Sequence, residues 1–194
     1  MSTPQRALRR LAAVPREGVP ASAATIPSGP LTLEAAFHQF APYVARIGTR
    51  ILGRDDDGID DLVQEVFTRA AAGLRRMNDA PEVRGWLATV TVRVAVRQLR
   101  RRRLRRFVPW PSDDLPRGTE PIAPAASPEA RATILHLYRL LDQLPARQRA
   151  AWILRHVEEE GLDEVARHCG CSLATAKRLI ARAEDWIERS TRDE

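Results

Sequence analysis

The stretch LDEVARHCGCSLATAKRLIARA, residues 162–183, decides how this chain is read. Leu162, Val165 and Ala166 recur at helical spacing, and Ala176, Leu179, Ile180 and Ala183 do so again after a break. Within the break, Gly170 can take the left-handed conformation that ends a helix, and Ser172 can cap the next one. A short helix over Leu162–His168, a glycine turn and a longer helix over Leu173–Glu188 make the layout of a helix-turn-helix. In that layout the early residues of the second helix face a groove of DNA.

Upstream, helical periodicity predicts two more helices, Glu129–Gln143 and Ala146–Glu159, so 129–194 reads as a small helical domain. Before it, Pro109, Pro111, Pro116, Pro121, Pro124 and Pro128 crowd a segment without apolar periodicity, and 107–128 reads as an extended linker. A second helical domain is expected over 31–106. Its first helix starts at a Thr32 cap and carries Leu33, Ala36, Phe37, Phe40, Val44, Ile47 and Ile51. Pro42 lies inside it and is expected to kink or divide it. After a Gly53–Gly58 loop, Ile59, Leu62, Val63, Val66, Phe67, Ala70 and Leu74 mark a second helix. Asn78–Pro81 reads as a turn, and a third helix runs from about Glu82 to Arg105 with Trp86, Leu87, Val90 and Val94 inward. The alternation of Val90, Val92, Val94 and Val96 would also suit a strand, but no partner strand exists. Residues 1–30, rich in Ala, Ser and Pro, read as a flexible tail. The fold class is therefore all-α: two small helical domains joined by a Pro-rich linker.

The charge distribution narrows the function. The 194 residues hold 31 Lys+Arg and 25 Asp+Glu, a net charge of +6, and Lys177 is the only lysine. Residues 84–106 carry nine arginines and no acid, whereas 31–83 carry six arginines and nine acids. So concentrated a block points to a polyanion: nucleic acid first, an anionic membrane surface second. No apolar run approaches the ~20 residues of a membrane span, so no membrane insertion is expected. The arginines near the start precede no long apolar stretch, so no secretory signal is expected and the chain is placed in the cytoplasm. Two cysteines cannot staple a scaffold, which fits a reducing compartment. No nucleophile–base pair or phosphate-cradling glycine loop stands out, so an enzyme is not expected, nor any cofactor. His168-Cys169-Gly170-Cys171 has the donors of a zinc site but lacks a second paired set, and the turn reading is preferred to the metal one.

Three motifs, in order, resemble the extracytoplasmic-function group of bacterial sigma factors, the subunits with which RNA polymerase selects promoters. They are Asp60-Asp61-Leu62-Val63-Gln64-Glu65-Val66-Phe67; Arg84-Gly85-Trp86-Leu87 with the Arg-rich helix after it; and Leu144-Pro145-Ala146-Arg147-Gln148-Arg149 with Glu164-Val165-Ala166 and Ser172 to Ala183 following. The resemblance spans nearly all of 31–190. It implies that Asp60, Asp61, Gln64 and Glu65 dock on core RNA polymerase. It implies that Arg84, Trp86, Arg93, Arg97 and Arg100 engage melted −10 promoter DNA beside the loop Asn78–Gly85, and that Ser172, Thr175, Lys177, Arg178 and Arg182 read the −35 element. An anti-sigma factor is an expected further partner. The chain departs from the family pattern at Arg93 and Arg97, where a small residue or Asn and then Asp are usual, and at Arg178-Leu179 in place of Ser-Arg. The family's base preferences therefore do not carry over.

Each site has a plainer reading. Asp60 and Asp61 are also simple acids at a helix start, where the dipole favours them. Phosphate contacts from the arginine run carry no sequence information, whereas exposed bases can be stacked and read. Trp86, at a helix start beside Leu87, is more naturally core than a stacking platform. Two rival functions are a stand-alone DNA-binding regulator, for which no dimerising heptad is visible, and a non-specific nucleic-acid binder.

Overall fold

The computed structural model describes residues 32–53, 58–74, 77, 80–105 and 128–192. The expected tail, the linker apart from Pro128, the interior of the expected Gly53–Gly58 loop (54–57) and residues 75, 76, 78 and 79 lie outside the described residues. Seven helices form among the described residues: α1 (Leu33–Leu52), α2 (Ile59–Leu74), α3 (Ala80–Arg105), α4 (Pro128–Gln143), α5 (Ala146–His156), α6 (Leu162–Cys169) and α7 (Leu173–Arg192). They fall into two compact units, α1–α3 and α4–α7, and the fold is all-α.

In the first unit each helix packs on the other two. Thr32 caps α1, its hydroxyl accepting from the Ala35 N–H at 3.1 Å. Ala36, Phe40, Val44, Ile47 and Ile51 form its buried stripe, as their spacing predicts, whereas Leu33 and Phe37, expected in the same stripe, are exposed. Leu62, Val66, Phe67, Ala70 and Leu74 answer from α2, and Val83, Leu87, Ala88, Val92, Val94 and Ala95 from α3. Each large side chain so buried contributes roughly 1.5–3 kcal/mol. Gly48 lets α1 and α2 close up, since a Cβ there would stand 2.8 Å from a Leu62 methyl. Val92 and Val94 are buried and Val90 half-buried, a helical distribution that leaves the strand alternative without support.

Three expectations change here. Pro42 does not divide α1: it and His38, whose carbonyl loses its partner, both lie on the exposed face, where solvent can replace the bond. The supposed loop Asn78–Gly85 is helical from Ala80 onward, with Pro81 in the first turn, where its missing N–H has no helical partner to lose. Trp86 and Val90 are half-buried rather than fully inward.

In the second unit α5, α6 and α7 pack mutually, and α4 lies against α7. Trp152, Ile153, Leu154, Val165, Ala176, Ile180, Ala183 and Ile187 form the core, with Ile134, Leu137 and Leu141 contributed by α4. Helix α5 stops at His156, three residues earlier than expected, and Glu159 takes a positive φ of 57° on the way to α6. Gly170 ends α6 at φ 60°, ψ 51°, the left-handed conformation anticipated for it. Its N–H reaches the Arg167 carbonyl at 3.1 Å, and the Cys171 N–H reaches that of Ala166 at 3.0 Å.

Candidate polymerase-docking and nucleic-acid interfaces

Helix α2 presents its acids unevenly. Asp60, Asp61 and Gln64 are exposed, the two aspartates in the first turn where the helix dipole favours anions. Glu65, one turn on, is half-buried. Its Oε1 pairs with Arg97 of α3 and lies 2.7 Å from Arg69 Nη2, and its Oε2 accepts from Gln98 Nε2 at 3.4 Å. Two residues assigned to different partners by the sequence thus neutralise one another.

The Arg-rich helix is likewise divided. Arg93, Arg100, Arg101 and Arg103 are exposed. Arg97 is engaged by Glu65, and a Cβ on Gly58 would stand 2.9 Å from Arg102 Nη2, so Arg102 crosses the start of α2. Arg84 is exposed, with its guanidinium 4.8 Å from the centre of the buried Tyr43 ring, a cation–π contact that holds it at the surface of α3. The Trp86 indole lies against Gly73 of α2, where an added Cβ would stand 2.3 Å from the ring, so its packing is that of a core side chain.

On α7, Lys177, Arg178 and Arg182 are exposed, while Ala176, Ile180 and Ala183 face the core. Ser172 and Thr175 have local work. The Ser172 hydroxyl lies 3.3 Å from the Thr175 N–H, which it caps, and 2.9 Å from the Thr175 hydroxyl. Arg178 Nη2 donates to Thr175 Oγ1 at 3.3 Å. Sequence reasoning missed the Glu65–Arg97 and Arg84–Tyr43 contacts, because nothing local signals a pairing across 32 or 41 residues.

Cys169 of the turn is a poor metal ligand as it stands. Burial, aided by the nearby Cys171, pushes the Cys169 thiol up to about 12, and no thiolate forms near neutral pH. Glu160, Glu164 and His168 bring one ligand atom each to within 4.8 Å of one another, but Glu164 already pairs with Arg167. His168 is buried and its imidazole is held below 6.5 by desolvation, against the opposing pull of Glu164. His156 is held below 6.5 by the same cause, although it bonds Glu184 Oε1 at 2.8 Å.

Two family models match, one to each unit: Sigma-70 region 2 over residues 36–105 and Sigma-70, region 4 over 134–187. The chain belongs to the sigma-70 family. Among curated sigma-70 relatives it is 28% identical to RNA polymerase sigma factor SigV of Bacillus subtilis over 138 residues, 71% of this chain and 78% of that one. It is 26% identical to the probable ECF RNA polymerase sigma factor SigI of Mycobacterium tuberculosis over 164 residues, 81% of this chain but 55% of that protein. A solved structure of the sigma factor RpoE in complex with the anti-sigma factor NepR, from Bartonella quintana, shares the fold. Its TM-score is 0.59 at 22% identity, covering 80% of this chain and 94% of that one. Among the described residues no helix is long and apolar enough to cross a membrane.

Proposed function

We propose that this sigma-70 family chain is an alternative sigma factor of the extracytoplasmic-function type, which binds core RNA polymerase and directs promoter recognition through −10 and −35 contacts. The observation that carries the reading is the ordered match of regions 2 and 4 to two separate helical units, each with an exposed charged helix face. In this reading Asp60, Asp61 and Gln64 dock on polymerase from α2. Arg84, Arg93 and Arg100 approach −10 DNA from α3, and Lys177, Arg178 and Arg182 read −35 DNA from α7. Arginine pairs bidentately with guanine edges and lysine serves base or phosphate.

Residues 31–106 and 129–194 act as the two functional domains, with 107–128 as the tether that lets them reach separate promoter elements. The chain works in the cytoplasm as a non-catalytic subunit and is held in check by an anti-sigma factor, as RpoE is bound by NepR.

Gel-filtration co-elution with bacterial core polymerase tests this, wild type beside Asp61→Arg. Co-elution of the wild type and its loss in the variant are expected. A folded, partner-free wild type that does not co-elute overturns the reading.

A further inference from the structure

Glu160, Glu164 and His168 follow one another at intervals of four residues and come together in space, each offering one ligand atom within 4.8 Å of the other two. Glu164 and His168 stand one turn apart on one face of α6. Their facing atoms, Glu164 Oε2 and His168 Nε2, are 3.6 Å apart. That is too long for a hydrogen bond. It is close to the spacing of two ligands on one zinc ion, since nitrogen and oxygen ligands at about 2.0–2.2 Å in a tetrahedron stand about 3.3 Å from one another. The Arg167 pair does not stand in the way. Arg167 takes Oε1, the other oxygen of Glu164, and its side chain is 57% exposed, so this is a surface pair that contributes little and is readily given up.

The third ligand is delivered by a fixed backbone. Helix α5 ends at His156, and the chain turns through Glu159 at positive φ before α6 begins. In that turn the Glu160 N–H donates to the Leu154 carbonyl at 2.9 Å, and the Glu160 carbonyl accepts from Arg155 Nη1 at 3.0 Å. Gly161 follows as the N-cap of α6, its carbonyl accepting from the Val165 N–H at 2.9 Å. The main chain of Glu160 is thus tied to α5 on one side and to α6 on the other, and side-chain rotation alone brings its carboxylate into coordination. His168 is 2% exposed, whereas Glu160 and Glu164 are half-buried. The imidazole therefore approaches from the protein side, and the two carboxylates close the site toward solvent. Two carboxylates balance the charge of a divalent cation, and the imidazole selects zinc over the oxygen-seeking magnesium and calcium.

We propose that Glu160, Glu164 and His168 form a zinc site, with water as the fourth ligand, that clamps the turn after α5 to the first helix of the helix-turn-helix. The site shares His168 with the His168–Cys171 stretch but uses neither cysteine, and it does not depend on the sigma-factor reading.

Zinc uptake by the metal-stripped full chain, measured by competition with a chromophoric chelator, tests this together with thermal unfolding. The wild type is expected to bind one equivalent saturably and to melt at a higher temperature with zinc, because an ion that binds only the folded chain stabilises it. Magnesium at the same concentration should do neither. Glu160→Gln and Glu164→Gln keep the side-chain shape and lie outside the core. Each should weaken zinc binding by at least about tenfold, since even the outer partners of metal ligands are worth that much. Cys169→Ser/Cys171→Ser should bind zinc as the wild type does.

A folded wild type without saturable zinc uptake overturns the proposal. So does zinc binding that survives Glu160→Gln and Glu164→Gln at wild-type strength, or that is lost in the cysteine double variant, which would place the ion on the turn thiols. A magnesium effect equal to that of zinc overturns it as well. If circular dichroism shows Glu164→Gln unfolded, Glu160→Gln decides alone.

Discussion

The six-membered ring of Trp86 lies over Gly73 so closely that a Cβ built on the glycine would stand 2.3 Å from it. No aromatic ring tolerates that approach, so α2 and α3 meet at this point only because position 73 has no side chain. Gly73→Ala gains helix propensity but drives the indole outward. A net loss of about 1–2 kcal/mol is expected, since overpacking outweighs a propensity gain of at most ~1 kcal/mol. Urea unfolding checks this; unchanged or higher stability would show that the ring moves aside freely.

Arg149 is a buried cation whose only described counter-charge is half in water. Its side chain is 2% exposed, its Nη1 pairs with Asp142, and its Nε and Nη2 are buried without a hydrogen-bond partner, while the Asp142 side chain is 49% exposed. Replacing the buried charge with an apolar chain of similar volume should be nearly neutral, whereas removing its partner should not. Arg149→Met is expected within about 1 kcal/mol of wild type and Asp142→Ala about 1–3 kcal/mol less stable. Equal losses in the two variants would contradict this.

Stability should fall in mild acid. Desolvation holds the imidazoles of His156 and His168 below 6.5 in the folded chain, against the opposing effect of Glu184 and Glu164 and assisted by Arg155 and Arg167. The unfolded chain therefore takes up these protons first. Their contribution is complete above pH 6.5 and is lost as pH drops through the lowered folded values. The melting temperature should decline as pH falls below about 6.5, and His168→Leu should flatten that decline. A profile unchanged by the substitution counts against this origin.

The salt dependence of DNA binding should separate free arginines from engaged ones. Arg100→Ala removes an exposed charge, and the slope of log affinity against log salt should shrink by roughly 0.7–0.9 for the lost phosphate contact. Arg97→Ala removes a charge already countered by Glu65, and its slope should change by less than that of Arg100→Ala. Fluorescence titration at several salt concentrations reads both.

The left-handed Gly170 makes a last prediction. At φ 60° a Cβ crowds its own backbone, so Gly170→Ala should cost about 1–2 kcal/mol, with the loss borne by the unit of α4–α7. A loss below about 0.5 kcal/mol would mean the turn relaxes into another conformation.

The helices themselves were legible in the sequence because their signals are local. The Thr32 cap, most of the apolar stripes of α1 and α2, and the Gly170–Ser172 turn depend on residues a few positions apart and formed as their spacing predicts, although Leu33 and Phe37 of the α1 stripe are exposed and Ile59 of the α2 stripe is half-buried. The charge split between the acids of α2 and the arginines of α3, and the order of the three motifs that pointed to the family, needed no coordinates either. Local signals misled where they were read without their surroundings. Pro42 does not divide α1, since it lies on an exposed face where the freed carbonyl can meet solvent; Pro81 opened a helix instead of preceding it.

What only the tertiary structure decided is which charges are free. Asp61 and Glu65 look alike along the chain, as do Arg97 and Arg100, but the packing of α2 on α3 brings Glu65 to Arg97 and leaves the other two in solvent. That register is set by buried side chains from three helices, and ion pairing depends on distance in space. Whether a carboxylate serves a partner or its own neighbouring helix is therefore settled only when the helices have packed.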